Sequence, residues 1–237
     1  VRDGVVIDEF RLKASFETIN YLLENGAEVI LATHLEEGES VESLKEFVPK
    51  GVQILPNLRD NEGEISNSES FARELAEKAE IYVNEAFSVS HREHASIVSL
   101  PKYLPSFVGF QFEREFKALS QAFEPEHPFM LILGGAKIET KLPLIEKFYN
   151  KADTIFIGGA MALKAKELEL DEKYGVLLPT GDLAALDANE QTLNLLRMKI
   201  AEARFIVWNG PLGKYEAGYT KYTNELALEL SDRKSGS

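Results

Sequence analysis

The sequence predicts an α/β protein of two lobes joined by a linking helix. Each lobe is expected to be a parallel sheet between helical layers, a three-layer α/β/α arrangement. Three observations predict it. Short apolar runs alternate with amphipathic stretches along the whole chain. The runs are near-continuous in apolar residues instead of alternating, as in strands covered on both faces. A Pro-punctuated stretch near the middle then divides the alternation into two sets.

Seven runs read as strands: 28–32 (EVILA), 52–55 (VQIL), 81–83 (IYV), 130–133 (MLIL), 154–157 (TIFI), 176–178 (VLL) and 205–208 (FIVW). Between them lie helices. Over 15–25, Phe16, Ile19, Leu22 and Leu23 fall on one face, and Gly26 stands where a C-terminal cap belongs. The stretch 69–78 follows Ser68, a natural N-cap, and turns Phe71, Ala72 and Leu75 inward. Stretches 142–150 and 190–203 repeat the pattern. In the middle, 103–112 is extended, 113–123 (EREFKALSQAF) is helical, and Pro125 and Pro128 forbid its continuation. The expected domains are therefore a first lobe at 1–112, a linking helix at 113–125 and a second lobe at 126–237. Both lobes are Rossmann-like, with right-handed crossovers and ligands at the carboxyl ends of the strands.

Composition narrows the function. The 237 residues carry 26 Lys and Arg against 39 Asp and Glu, a net charge of −13. A chain this acidic binds neither nucleic acid nor an anionic membrane through its overall field, so an anionic ligand needs a local basic pocket. The lack of cysteine excludes a disulfide scaffold, a thiolate metal site and a Cys nucleophile. No apolar run approaches the roughly 20 residues needed to span a bilayer. The opening VRDGVVIDEF has no signal-peptide pattern, so a cytoplasmic location is expected.

The second lobe has three glycine turns, each just after a strand. In LILGGAKIETK (131–141), Gly134 and Gly135 turn the chain, and Lys137 and Lys141 lie four apart at the start of an expected helix. Two ammonium groups beside free backbone N–H groups suit a phosphate; two surface lysines after a tight turn fit the same spacing. In IFIGGAMA (155–162), Gly158 and Gly159 permit close approach of a ligand, or simply make a strand-to-helix turn. In FIVWNGPLGKYE (205–216), Asn209-Gly210-Pro211 is a turn signal. Asn209 offers an amide there, and Glu216 offers a carboxylate to ribose hydroxyls or to solvent. Three such turns on one sheet edge would converge on one crevice, which argues for a nucleotide. The P-loop and dinucleotide fingerprints are both absent.

The first lobe is different in kind. Arg11, His34, Arg59, His91, Arg92 and His94 lie at a helix start or just after strands, positions that collect at one edge of an open α/β sheet. Cationic groups gathered there suit a small phosphorylated or carboxylated ligand; scattered surface residues fit the same pattern. His91 and His94 lack a third metal ligand nearby, so no metal site is expected.

Taken together, six stretches in order resemble the phosphoglycerate kinase family over nearly the whole chain. They are 9–35 (EFRLKASFETINYLLENGAEVILATHL), 82–105 (YVNEAFSVSHREHASIVSLPKYLP), 109–123 (GFQFEREFKALSQAF), 133–146 (LGGAKIETKLPLIE), 157–162 (IGGAMA) and 207–216 (VWNGPLGKYE). The resemblance implies reversible, Mg²⁺-dependent phosphoryl transfer between 1,3-bisphosphoglycerate and ADP, giving 3-phosphoglycerate and ATP, in a monomer. It implies that Arg11, His34, Arg59, His91, Arg92 and His94 bind the glycerate. Lys137 and Lys141 would lie near the transferring and terminal phosphates. Gly158, Gly159 and Met161 would form the adenine-side loop; Asn209, Gly210 and Pro211 the phosphate and ribose loop; Glu216 the ribose acid. Arg11, Lys137 and Lys141 would be catalytic, and 113–123 the hinge helix.

Departures accompany the match. The family's His-Leu-Gly-Arg-Pro reads His34-Leu35-Glu36-Glu37-Gly38, so Glu37 stands where the pattern has an arginine. The acid of the Gly-Gly-Ala-Lys loop falls at Thr140, beside Glu139, and the stretch between Met161 and Trp208 is short. The residues also begin after the family's Asp-Phe-Asn strand and end before its Gly-Gly-Gly-Asp-[Ser/Thr] loop. Weak turnover is therefore expected of these residues alone, the alternative being a non-catalytic nucleotide-binding derivative of the fold.

Overall fold

The computed structural model describes residues 1, 3–7 and 9–234; the side chains of Arg11, Arg233 and Lys234 fall outside that description. The chain forms two compact units, Val1–Ser120 and Gln121–Ser237.

The first unit opens with α1 (Phe10–Ala14) and α2 (Phe16–Glu24). Gly26, at φ +84°, ends α2, and its N–H donates to the Leu23 carbonyl at 3.0 Å. This left-handed cap costs glycine nothing. Strand β1 (Ile30–Leu31) pairs in parallel with β2 (Gln53–Ile54). Next come α3 (Glu62–Ile65) and α4 (Glu69–Ala76), where Ser68 accepts the Phe71 N–H at 3.5 Å as the sequence predicts. Strand β3 (Tyr82–Asn84) pairs in parallel with β4 (Ser106–Val108). The two pairs are separate sheets among the described residues. Their strands are half-buried or exposed, not covered on both faces as the apolar runs predict. A core of Leu58, Phe71, Ala72, Leu75, Ala95 and Leu100 lies under α4.

The unit closes with α5 (Phe110–Ser120), which starts three residues earlier than predicted. Glu85 explains the early start. Its carboxylate accepts the N–H groups of Gln111 and Phe112, each at 3.2 Å, and the Thr18 hydroxyl at 2.5 Å. Gly109 makes room for it, since a Cβ there would lie 2.0 Å from a Glu85 oxygen.

The second unit is a three-stranded parallel sheet, β6 (Thr154–Ile157), β5 (Phe129–Leu133) and β7 (Phe205–Asn209) in that order. The run predicted at 176–178 is reduced to one bridge, Leu177 to Phe156. Around the sheet lie α6 (Leu142–Phe148), α7 (Met161–Glu167), α8 (Leu170–Tyr174), α9 (Glu190–Glu202) and α10 (Lys221–Lys234). Strand alternation divides the core in two. Phe129, Leu131 and Leu133 face one cluster with Ile145, Ile155, Ile157 and Met161. Met130 and Ile132 face the other with Phe156, Leu193, Leu196 and Leu226. Every residue of β5 is buried, which is why its sequence is apolar throughout.

Candidate active site residues

In the second unit all three strands run parallel, so their carboxyl ends share one edge. The turns after β5, β6 and β7 meet there through backbone. The Gly134 N–H donates to the Asn209 carbonyl at 2.8 Å, and the Gly135 N–H to Pro211 at 2.9 Å. The Gly158 N–H donates to Leu133 at 2.8 Å, and the Met161 N–H to Gly135 at 3.2 Å. The contact leaves no space for side chains. A Cβ on Gly134 would lie 2.1 Å from the Pro211 oxygen, one on Gly210 2.3 Å from the Gly134 oxygen, and one on Gly159 2.8 Å from the Gly135 oxygen. These glycines are required by the approach of one turn to another, before any ligand enters. Gly135, at φ +104°, differs: a Cβ added there would meet nothing within 4 Å and would face open space.

Lys137 and Lys141 do not share a helix. Lys137 precedes a 3₁₀ turn, Ile138–Thr140, and Lys141 follows it, just before α6. Proline at 143 sits in the first turn of α6 and leaves no extension backward over Lys137. The Lys141 ammonium donates to the Asn209 side-chain oxygen, tying the first turn to the third. Lys137 is exposed and makes no ion pair among the described residues. Met161 is fully buried in the core, so only its backbone can face a ligand. Glu216 is exposed in a short turn, Tyr215–Ala217. It lines a groove of about 490 Å³ with Trp208, Gly210, Pro211, Tyr215 and Thr223.

In the first unit, His34 follows β1, Arg59 lies in the turn Leu58–Asp60 after β2, and His91, Arg92 and His94 follow β3. His34 and His94 meet edge to face, ring centroids 5.1 Å apart. His91 and Arg92 are exposed. The side chain of Arg11 lies outside the described residues. Glu37 is exposed, on the loop that Asn57 braces by accepting the Leu35 N–H at 2.9 Å.

Between the two histidines stands Glu64, which sequence reasoning missed. It is 0% exposed. Its Oε1 lies 2.6 Å from His34 Nε2 and accepts the Ser96 hydroxyl at 2.5 Å; its Oε2 accepts the Ser96 N–H at 2.9 Å. Burial pushes this carboxyl up, but the hydrogen bonds from His34 and Ser96 outweigh it and hold it below the ordinary range. Burial, with the charges of His34, Arg92 and Arg59, pushes His94 down against the pull of Glu64. Burial and the Glu64 charge together raise the Tyr82 hydroxyl to about 12. His34, Glu64 and His94 bring three potential ligand atoms within 4.8 Å of one another. The carboxylate is already committed to three hydrogen bonds, and we read the group as a hydrogen-bonded cluster.

Two α/β units with parallel strands, one gathering His34, Arg59, Arg92 and His94 near Glu64 and one with converging glycine turns, suit the class of enzyme that handles small phosphorylated molecules and nucleotides. A family model, Phosphoglycerate kinase, matches residues 36–174. The enzyme of Finegoldia magna is 32% identical over 320 aligned positions, covering 99% of this chain and 81% of its own. That of Fervidobacterium nodosum is 32% identical, covering 98% and 80%. Both alignments are longer than the chain, so stretches of these relatives have no counterpart in it. The structure of phosphoglycerate kinase from Pyrococcus horikoshii matches with a TM-score of 0.82 and 25% identity, covering 95% of this chain and 79% of that one. The Coxiella burnetii structure shares the fold at a TM-score of 0.77 and 23% identity, covering 98% and 80%.

The chain belongs to the phosphoglycerate kinase family. Its activity is that of a phosphotransferase with a carboxyl group as acceptor, the glycolytic step between 1,3-bisphosphoglycerate with ADP and 3-phosphoglycerate with ATP. The non-catalytic derivative is not favoured by these relatives.

Proposed function

We propose that the second unit holds ADP or ATP at the three converging turns and that the first holds 3-phosphoglycerate or 1,3-bisphosphoglycerate at its cationic edge, with α5 as the hinge helix. The convergence of the turns after β5, β6 and β7 carries this reading. Phosphoryl transfer through a loose transition state asks for positioning and charge neutralisation more than for a strong base. Lys137 and Lys141 supply the charge, with Lys141 positioned by Asn209. Gly158, Gly159 and the Met161 backbone border the adenine, and Glu216 receives ribose hydroxyls at the groove. Arg11, His34, Arg59, His91, Arg92 and His94 bind the glycerate phosphate and carboxylate, and Arg11 also neutralises charge at the transferring group. Mg²⁺ arrives with the nucleotide. It favours oxygen ligands and substrate phosphates, and Glu139, exposed on the Ile138–Thr140 turn, is a carboxylate this loop offers.

The acidic charge of −13 supports a protein with no nucleic-acid or membrane partner. No described helix is long and apolar enough to cross a membrane. We place the enzyme in the cytoplasm as a monomer. A coupled assay with 3-phosphoglycerate, ATP and Mg²⁺, paired with calorimetry of each substrate, tests the reading. Turnover with binding of both substrates is expected. Nucleotide binding without 3-phosphoglycerate binding would overturn it in favour of a non-catalytic nucleotide binder.

A further inference from the structure

We propose that Glu64 sets the proton arrangement of His34, so that the cationic edge of the first unit accepts an anion at His34 only while that imidazole is doubly protonated. The inference rests on the reading that His34 belongs to the glycerate site.

A buried carboxylate in a site for anions needs a reason. Glu64 is fully buried, yet its three hydrogen bonds keep it ionised. An ionised carboxylate only accepts. The proton of the 2.6 Å contact therefore sits on His34 Nε2. That leaves Nδ1 as the ring nitrogen available to a ligand. Among the described residues it makes no hydrogen bond, and it is not one of the buried unpaired atoms, which are His94 Nδ1 and Asp171 Oδ1. When His34 is neutral, Nδ1 presents a lone pair, which repels a phosphate or carboxylate oxygen. When His34 is charged, Nδ1 presents an N–H, which binds one. The carboxylate thus forbids the neutral tautomer that would still donate.

The surroundings make His34 the committed partner. Glu64 reaches it from α3, while His94, leading into the turn Ala95–Ser99, keeps its Nδ1 3.8 Å from the same oxygen, beyond hydrogen-bonding range. The other ionisable groups of the cluster are Arg59 from the turn after β2, Arg92 from the segment after β3, and Tyr82 on β3. Ser96 spends both its N–H and its hydroxyl on Glu64. The backbone N–H can only donate, so an acceptor oxygen must face it and the other carboxylate oxygen is left to His34.

The substitution Glu64→Gln reads this out. Glutamine has one acceptor oxygen. The Ser96 N–H, fixed in the backbone, takes it, so the amide NH₂ faces His34 and Nε2 must accept. The neutral tautomer inverts and Nδ1–H points outward. In the wild-type chain, 3-phosphoglycerate affinity measured by calorimetry should fall about tenfold or more between about pH 6.5 and about pH 9. In Glu64→Gln the slope should flatten to about threefold or less over the same interval. Nitrogen-15 spectra of labelled histidine at the upper pH should show Nε2–H in the wild type and Nδ1–H in the variant. A merely structural role for Glu64 would leave the slope unmoved even where the tautomer inverts.

His34→Ala separates the two readings. If it leaves 3-phosphoglycerate binding unchanged at every pH, His34 is outside the glycerate site, and both readings fall. If it weakens binding while Glu64→Gln keeps the wild-type slope and tautomer, this inference alone falls. Should Glu64→Gln not fold, the wild-type spectrum decides, since a neutral His34 carrying its proton on Nδ1 overturns the proposal.

Discussion

The second unit builds its site on three parallel strands with a packed core on each face, whereas the first hangs its cationic residues beside two separate two-stranded pairs. The difference shows in what does the positioning. In the second unit it is backbone, one glycine turn resting against another. In the first it is side chains, with Glu64, Ser96 and Asn57 bracing His34 and its loop. Backbone positioning tolerates no added atom where one turn touches another; side-chain positioning depends on protonation. Each contrast can be broken by experiment.

The largest effects belong to the glycine contacts. Gly134→Ala and Gly210→Ala place a methyl group 2.1 and 2.3 Å from carbonyl oxygens. Each is expected to destabilise the second unit by about 4 kcal/mol or more, beyond the usual range for one substitution. Gly135→Ala meets no atom and pays only for its φ of +104°, about 1–3 kcal/mol. The single tryptophan, Trp208 on β7, reports this unit alone in a denaturant titration by fluorescence. Equal midpoints for Gly134→Ala and Gly135→Ala would break the claim that turn-against-turn contact, not conformation, dictates these glycines.

Next comes the chemistry. Lys137→Ala should lower kcat about 10²–10³-fold, the loss typical of one preorganised charge-stabilising donor. Its thermal stability should stay near wild type, because Lys137 is exposed and unpaired among the described residues. A stopped-flow measurement with saturating substrates checks the first expectation and calorimetry the second. A change confined to KM would mean that Lys137 serves binding and not the transfer step.

How much of the molecule is legible in its sequence follows the same division. The second unit reads well because burial on both faces forces an unbroken apolar run, as in Phe129–Leu133. The glycine dipeptides mark its turns equally plainly. Their cause is only half legible: Gly134 and Gly159 answer to a neighbouring turn, which has no signature in local sequence. The lysine spacing suggests one helical face, and Pro143 with the 3₁₀ turn before it overrides that periodicity. The first unit reads less well. Its half-exposed strands carry mixed residues, and 103–112 reads as extended without revealing that β4 pairs with β3. Glu64 is invisible for a physical reason. In the run Asp60-Asn61-Glu62-Gly63-Glu64 every acid looks like a solvated one, and only the fold carries His34 and Ser96 to the last of them.

A smaller effect should separate the units by acid. The Glu64 carboxyl is held below its usual 4.5 in the folded state. Its contribution to stability is therefore complete above about pH 4.5 and is lost as pH falls through the lower folded value. Thermal melts followed by circular dichroism from about pH 6 to about pH 3 should show the wild type losing its margin over Glu64→Gln in the acid part of that range. Trp208 fluorescence should show no such difference, because Glu64 belongs to the other unit. Parallel acid curves for wild type and variant would mean that the cluster contributes nothing through its charge.

The smallest expected effect tests the edge of the first unit. Phe107, on β4, is 58% exposed despite its size. Truncating it removes little buried area, so Phe107→Ala should change stability by no more than about 0.5 kcal/mol. The equivalent truncation in the second unit, Phe156→Ala on β6, empties a site with 0% exposure and should cost about 3–5 kcal/mol. Both residues are phenylalanines on short parallel strands, so β-propensity predicts similar losses while burial predicts a large gap. Matched losses would show that strand pairing, and not the doubly covered core, holds these sheets together. A gap of several kcal/mol would assign the firmness of the turns after β5, β6 and β7 to the two cores beneath them, and leave the first unit's edge residues free to serve something other than stability.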